Sequence, residues 1–197
     1  MINLFNKWSV EGIKIEDPGL KNYINLRPLY VVKTGGRNTK VRFHKNKNNI
    51  VERLINHLMT PGHRGKKHRI SSGRCTGKGQ KNYNIVKKVF EVIEQKLGKN
   101  PIEVFVKAIE NGAPREEITS IEYGGARYPQ AVDCAPQRRV DFTLRMFVQG
   151  AYGKSFNSKK KIYECLAEEI ISAYNMEQKS TAVAKKLELE RQADSSR

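Results

Sequence analysis

Gly98-Lys99-Asn100-Pro101-Ile102-Glu103-Val104-Phe105-Val106 closes one helix and opens the next, and it decides how the rest of the chain is read. Before it, Val86, Val89, Phe90, Ile93 and Leu97 make an i, i+3, i+4, i+7 stripe, and Gly98 is the residue type that ends such a helix. Asn100 suits the N-cap, and Pro101 suits the first helical position, where its missing N–H costs nothing. Ile102, Phe105, Val106 and Ile109 form the second stripe, which Gly112 and Pro114 end. Two amphipathic helices in tandem set the class as mainly α.

The same signals continue outward. Upstream, Asn49 can cap a helix with Val51, Leu54, Ile55 and Leu58 on one face, stopped by Pro61-Gly62. Downstream, residues 116–134 break the period: Ile121 and Tyr123 precede Gly124-Gly125, and Tyr128, Val132 and Cys134 follow. This predicts a β-hairpin whose second strand, carrying Pro129, is an exposed ribbon rather than a sheet interior. A lone ribbon is marginal in water, so it packs on helices or waits for a partner, and Tyr123, Arg127 and Tyr128 at its tip suit stacking and phosphate contact. Helical spacing then resumes with Val140, Leu144, Phe147, Val148 and Ala151 on one face and Arg138 and Arg145 on the other. The next helix turns Ile162, Leu166, Ile170 and Ala173 inward and is expected to carry Lys159, Lys160 and Lys161 in its first turn. The helix dipole disfavours cations there, so an external phosphate explains them better than stability does. A polar last helix spans about residues 181–193, anchored by Val183 and Leu187.

The expected architecture is a bundle of about six helices with one protruding β-hairpin and a basic N-terminal extension. Residues 1–48 form the extension, which the body is expected to fold without, and residues 49–197 form the body. Ile13, Ile15, Leu20, Tyr23, Ile24 and Leu26 anchor short pieces of the extension, and residues 33–49 read as an extended basic arm.

Charge points to the partner. Between Lys33 and Lys81 stand 14 Lys and Arg against one acid, Glu52, a net of +13 within a whole-chain charge of +17. Residues 1–32 contribute only +1 and residues 82–197 only +3. Such crowding repels itself, whereas a polyanion rewards it by counterion release. Nucleic acid is therefore the expected partner.

Other chemistries fail on spacing. Gly73-Arg74-Cys75-Thr76-Gly77-Lys78-Gly79 is one residue short of a phosphate-binding loop, lacks the Ser or Thr after its lysine, and has no strand before it. His63, His68 and Cys75 match no common zinc site. Glu164, Glu168 and Glu169 share an exposed helix in which Lys160 stands ready to pair with Glu164, so they read as surface ion pairs rather than general acid–base groups. His57 reads as a partly buried helix residue. Three widely spaced cysteines give no disulfide framework, and no apolar run reaches the length of a membrane span. No cofactor, metal or catalytic site is expected, and the compartment is read as cytosolic. A DNA-binding regulator would need a helix-turn-helix, and the helix after Asn100 offers Ile102-Glu103-Val104-Phe105, no base-reading face. An RNA-processing enzyme would need an acidic metal cluster, whereas the acids after residue 82 are spread along helices.

Several stretches in order resemble one family: Ile50-Val51-Glu52-Arg53-Leu54, the Gly98–Val104 stretch, Gly112-Ala113-Pro114-Arg115-Glu116, Gly124-Gly125-Ala126-Arg127-Tyr128, Gln130-Ala131-Val132-Asp133, Arg138-Arg139-Val140 and Glu188-Leu189-Glu190-Arg191. Together they are similar to the small-subunit ribosomal protein seven family, in its eukaryotic and archaeal branch, where the eukaryotic member is called protein five. The resemblance covers about residues 49–197, and the loop 61–80 and the arm 33–49 depart from it.

That resemblance implies a structural constituent of the small ribosomal subunit, a monomer within the ribosome. It implies binding to the 3′ major (head) domain of the rRNA beside other head proteins, with the ribbon near exit-site tRNA and mRNA. It implies a cytoplasmic ribosome, with a nucleolar assembly stage if the source is eukaryotic. The expected rRNA-binding residues are Arg37, Lys40, Arg42, Lys45 and Lys47 in the arm and His63, Arg64, Lys66, Lys67, His68, Arg69, Arg74 and Lys78 in the long loop. Arg138, Arg139, Arg145, Lys159, Lys160 and Lys161 are expected to join them from the helices. Tyr123, Gly124, Gly125, Arg127 and Tyr128 form the tip expected to meet tRNA and mRNA.

Overall fold

The computed structural model describes residues 2–36, 40–61 and 76–197. Six helices and one hairpin follow in the order α1 (Ile50–Leu58), α2 (Gly79–Leu97), α3 (Pro101–Gly112), β1 (Glu116–Tyr123), β2 (Ala126–Asp133), α4 (Pro136–Ser155), α5 (Ile162–Tyr174) and α6 (Thr181–Asp194). The fold is thus mainly α with one protruding antiparallel ribbon, as the spacing predicts. α5 lies against α2, α3 and α4, and its Leu166, Ala167, Ile170 and Ala173 are wholly buried. The apolar stripes expected on α1 to α4 all face this core, with Phe90, Phe105 and Phe147 at its centre.

The core does not stop at residue 48. Leu4, Phe5, Trp8, Val10, Leu20, Ile24 and Val32 are buried in it, although residues 2–36 contain no regular helix. Phe5 and Trp8 meet Phe90 edge-on, with ring centres 6.1 and 5.8 Å away. Residues 2–34 therefore form a strap around the helices, and sequence reading saw only its later anchors. Two capping asparagines tie it down. The Asn49 side chain accepts from Val51 N–H at 2.9 Å and donates to the Arg27 carbonyl at 2.8 Å. Asn100 repeats the device, accepting from Ile102 N–H and donating to the Ser9 carbonyl. Each helix start is thus satisfied by a side chain that also holds the strap. Thr34 adds its N–H and hydroxyl to the buried Glu52 carboxylate. The stretch read as an extended arm contains a 3-10 turn, His44–Lys47, seated against α4 through Lys45 and Asp141.

The hairpin pairs Glu116 with Asp133 at its base and Tyr123 with Ala126 at its tip. Gly124 and Gly125 take φ of 59° and 81°, both positive as a two-residue turn of this hand requires. Arg138 holds Glu117 at 2.6 Å near the base, and α6 packs beside β1. Two details differ from the sequence reading. α5 begins at Ile162, so Lys159 to Lys161 precede its first turn, which carries the acid Glu164 instead. Leu187 is not an anchor of α6 but 38% exposed; Ala182, Val183 and Ala193 are the buried positions.

Behind α4, Glu169 is fully buried, with Lys154 at 2.8 Å and both the N–H and hydroxyl of Thr181 on its carboxylate. A Cβ at Gly150 would come within 2.4 Å of Thr181 Oγ1 and 2.6 Å of Glu169 Oε1. In an open helix Gly→Ala is stabilising by up to about 1 kcal/mol. At this position the sign reverses: Gly150→Ala is expected to cost about 1–3 kcal/mol, because the pinned carboxylate has nowhere to go. Chemical denaturation checks it, and a stabilised variant would show that the α4–α6 contact yields freely.

Candidate nucleic-acid interface

Among the described cations, two groups gather near the two ends of α4. At its start, Asp141 gathers three partners: Lys45, Arg53 Nη2 at 2.8 Å and His57 Nε2 at 3.6 Å. Burial would raise this carboxyl, but the bonds from His57, Lys45 and Arg53 outweigh burial and hold it well below the usual carboxylate range. Arg53, only 3% exposed, also donates to the Tyr23 carbonyl at 2.8 Å. Arg53 is therefore an interior brace, and Lys45 is partly committed to the same hub.

Arg139 is also inward. Its Nε donates to the Pro114 carbonyl at 3.0 Å and its Nη2 to Asp17 at 2.6 Å, so it holds the strap rather than facing outward as expected. The apolar stripe does not mark it: Arg139 shares a flank of α4 with Thr143 and Gly150, and the Pro114 carbonyl and Asp17 are what turn it inward. Arg138, one position away, is exposed and paired with Glu117. Arg145, Lys40 and Lys47 are exposed and make no ion pair among the described residues. The guanidinium of Arg42 lies 4.9 Å from the exposed ring of Phe43.

At the other end of α4 stand Lys154 and the exposed Lys159, Lys160 and Lys161. Lys160 pairs with Glu168 at 2.9 Å, not with Glu164, which instead accepts the Lys161 backbone N–H at 3.2 Å. Lys160, with Lys96 and Lys154 farther off, lowers the Glu168 carboxyl below its ordinary value. The ammonium groups of Lys88 and Lys161 approach the Tyr163 ring at 5.8 and 6.0 Å. Sequence reasoning missed Lys88, Lys96 and Lys154. For Lys88 and Lys96 the signal was present on the polar side of the α2 stripe, but only the packing of α2 on α5 brings them to Lys159–Lys161. Along α4, Arg138 and Lys154 are roughly 24 Å apart at the helical rise per residue.

The hairpin supplies a third surface. Tyr123 is 82% exposed and Tyr128 58%, and Tyr128 sits directly across from Ile121, giving one aromatic face. Arg127 stands 3.5 Å from Glu122 on the other. Lys78 is exposed at the start of α2. Arg37, His63, Arg64, Lys66, Lys67, His68, Arg69 and Arg74 lie outside the described residues, as does Cys75. Among the described residues no cluster of His, Cys, Asp or Glu could hold a metal, and no helix is long and apolar enough to cross a membrane. Exposed cations beside the ends of fixed helices, with aromatic neighbours, suit phosphate and base contact.

Comparison with known proteins agrees with this chemistry. A family model described as ribosomal protein S7p/S5e matches residues 30–197. The chain is 54% identical over 196 residues to the small ribosomal subunit protein uS7 of Nanoarchaeum equitans, covering 100% of this chain and 99% of that one. It is 48% identical over 194 residues to the small ribosomal subunit protein uS7 of Archaeoglobus fulgidus, covering 98% and 94%. Both relatives are archaeal, in line with the branch that the sequence motifs resemble.

Proposed function

The chain belongs to the ribosomal protein S7p/S5e family, and from that premise we propose that it is a structural constituent of the small ribosomal subunit, with no enzymatic role. It binds the 3′ major domain of the rRNA and supports assembly of the subunit head in the cytoplasm, as one copy among other head proteins. The helices of residues 49–197 carry the rRNA-binding surface, and the N-terminal stretch, folded into the same core, adds its basic segment. The observation that carries this reading is the pair of cationic clusters fixed at the two ends of α4. Phosphate neutralisation there supplies affinity without reading sequence, and rigid spacing selects the shape of the RNA. A tagged copy should co-sediment with small subunits in a sucrose gradient; a copy that stays at the top of the gradient would sink the proposal.

Changing Lys159, Lys160 and Lys161 together to Glu should leave the isolated protein about as stable as before. In filter binding it should weaken attachment to a 3′ major-domain transcript and flatten the log-affinity against log-salt slope by about two to three. An unchanged slope would remove this cluster from the interface.

The hairpin tip is proposed to reach exit-site tRNA and mRNA. Excising residues 123–128 and rejoining the strands by a short turn should spare folding and incorporation, since the tip contributes nothing to the core. A dual-reporter assay on ribosomes containing the truncated protein should then show altered frame maintenance or start-site choice. Failed incorporation would instead mark the tip as an rRNA anchor.

A further inference from the structure

We infer that the cleft between the His44–Lys47 turn and the first turns of α4 receives a single unstacked base of the bound RNA. This rests on the rRNA-binding reading above and gives it a specific contact. The cleft has a volume of about 590 Å³, within the range of sites that enclose a small ligand. Tyr23, Phe43 and Phe142 line it, with Arg138 and Arg145 at the same opening.

Phe43 is the informative residue. Its backbone takes φ 60° and ψ 7°, the left-handed region that bulky residues rarely adopt, and its ring remains 60% exposed. Strain that presents an apolar ring to water contributes nothing to the core. Outliers of this kind cluster at binding sites and switch regions, and Phe43, unlike the buried Phe5, holds its ring in solvent.

The charges around the ring choose among occupants. Asp141 also lines the cleft, but Lys45 and Arg53 already meet its charge. Arg145, unpaired among the described residues, and Arg42 beside the Phe43 ring leave the rim positive. The amide end of α4 adds to this, because its N-cap Ala135 offers no side-chain acceptor. An apolar protein side chain would satisfy the rings and leave these cations idle. A base satisfies the rings and brings a phosphate on either side. Because duplex RNA hides its bases, the occupant comes from a loop, bulge or end.

The test uses the full chain, a transcript of the 3′ major domain, and chemical probing of every nucleotide. Wild type is expected to shield one or two unpaired nucleotides that Phe43→Ala leaves reactive. The variant should bind about five- to 100-fold more weakly, with the salt slope unchanged. Phe43→Tyr, which keeps a stacking ring, should restore both shielding and affinity. Arg145→Gln should instead lower the slope by about one. The inference is overturned if Phe43→Ala alters no nucleotide, if Phe43→Tyr fails to restore what Phe43→Ala loses, or if the exposed nucleotides are base-paired. It is also overturned if the difference arises only after other head proteins join, which would identify a protein occupant. If wild type does not bind the transcript at all, the rRNA reading itself falls and the cleft with it.

Discussion

A chain lacking residues 1–32 is expected not to fold. The deletion removes Leu4, Phe5, Trp8, Val10, Leu20, Ile24 and Val32, all of them buried. They belong to the same continuous core as the helices, so the deletion leaves the helix surfaces that pack on them open to water. The damage also spreads inward: Phe90 loses two aromatic neighbours, and Arg139 loses Asp17. Circular dichroism during urea titration is the measurement, and no cooperative transition should remain. A midpoint near that of the full chain would show the strap to be an ornament on a self-sufficient bundle.

Asp141→Asn is expected to cost about 3–5 kcal/mol at neutral pH. The substitution keeps the shape and removes the charge, leaving the guanidinium of Arg53, 3% exposed, without its carboxylate. The pH dependence separates this from a packing fault. The carboxyl sits below its ordinary 3.8 in the folded protein, so its stabilisation is fully present above about pH 4–5 and is lost as pH falls through the folded value. The stability gap between wild type and variant should therefore be constant near neutrality and close in strong acid. A gap that persists unchanged in acid would assign the loss to packing.

The helices were legible because their signals are local. Asn49 and Asn100 are readable as caps, Gly124-Gly125 as a turn, and the stripes of α2 and α3 as buried faces. What escaped reading depends on contacts far along the chain. Trp8 and Phe5 lie in a stretch without period, and only Phe90, some eighty residues away, gives them a place. Glu169 reads as a surface acid until Thr181 and Lys154 close over it. Arg138 and Arg139 look equivalent in sequence, yet a helical step of one residue sends one outward and the other to Asp17. The exposed cations Lys40, Arg42 and Lys47 stand in the stretch that the sequence marks by excess charge, whereas which helical cations turn inward was not legible.

The strap also imposes an order in time. It is synthesised before the helices it joins, so Ser9 waits for Asn100, Lys7 for Glu91 and Asp17 for Arg139. Until residue 139 has been made, the leading segment carries Leu4, Phe5 and Trp8 with its attachment incomplete. Nascent chains with uncovered aromatic surface aggregate or engage chaperones. The joining of strap to body is thus delayed to late in translation, and its long sequence separations are of the kind that slow folding.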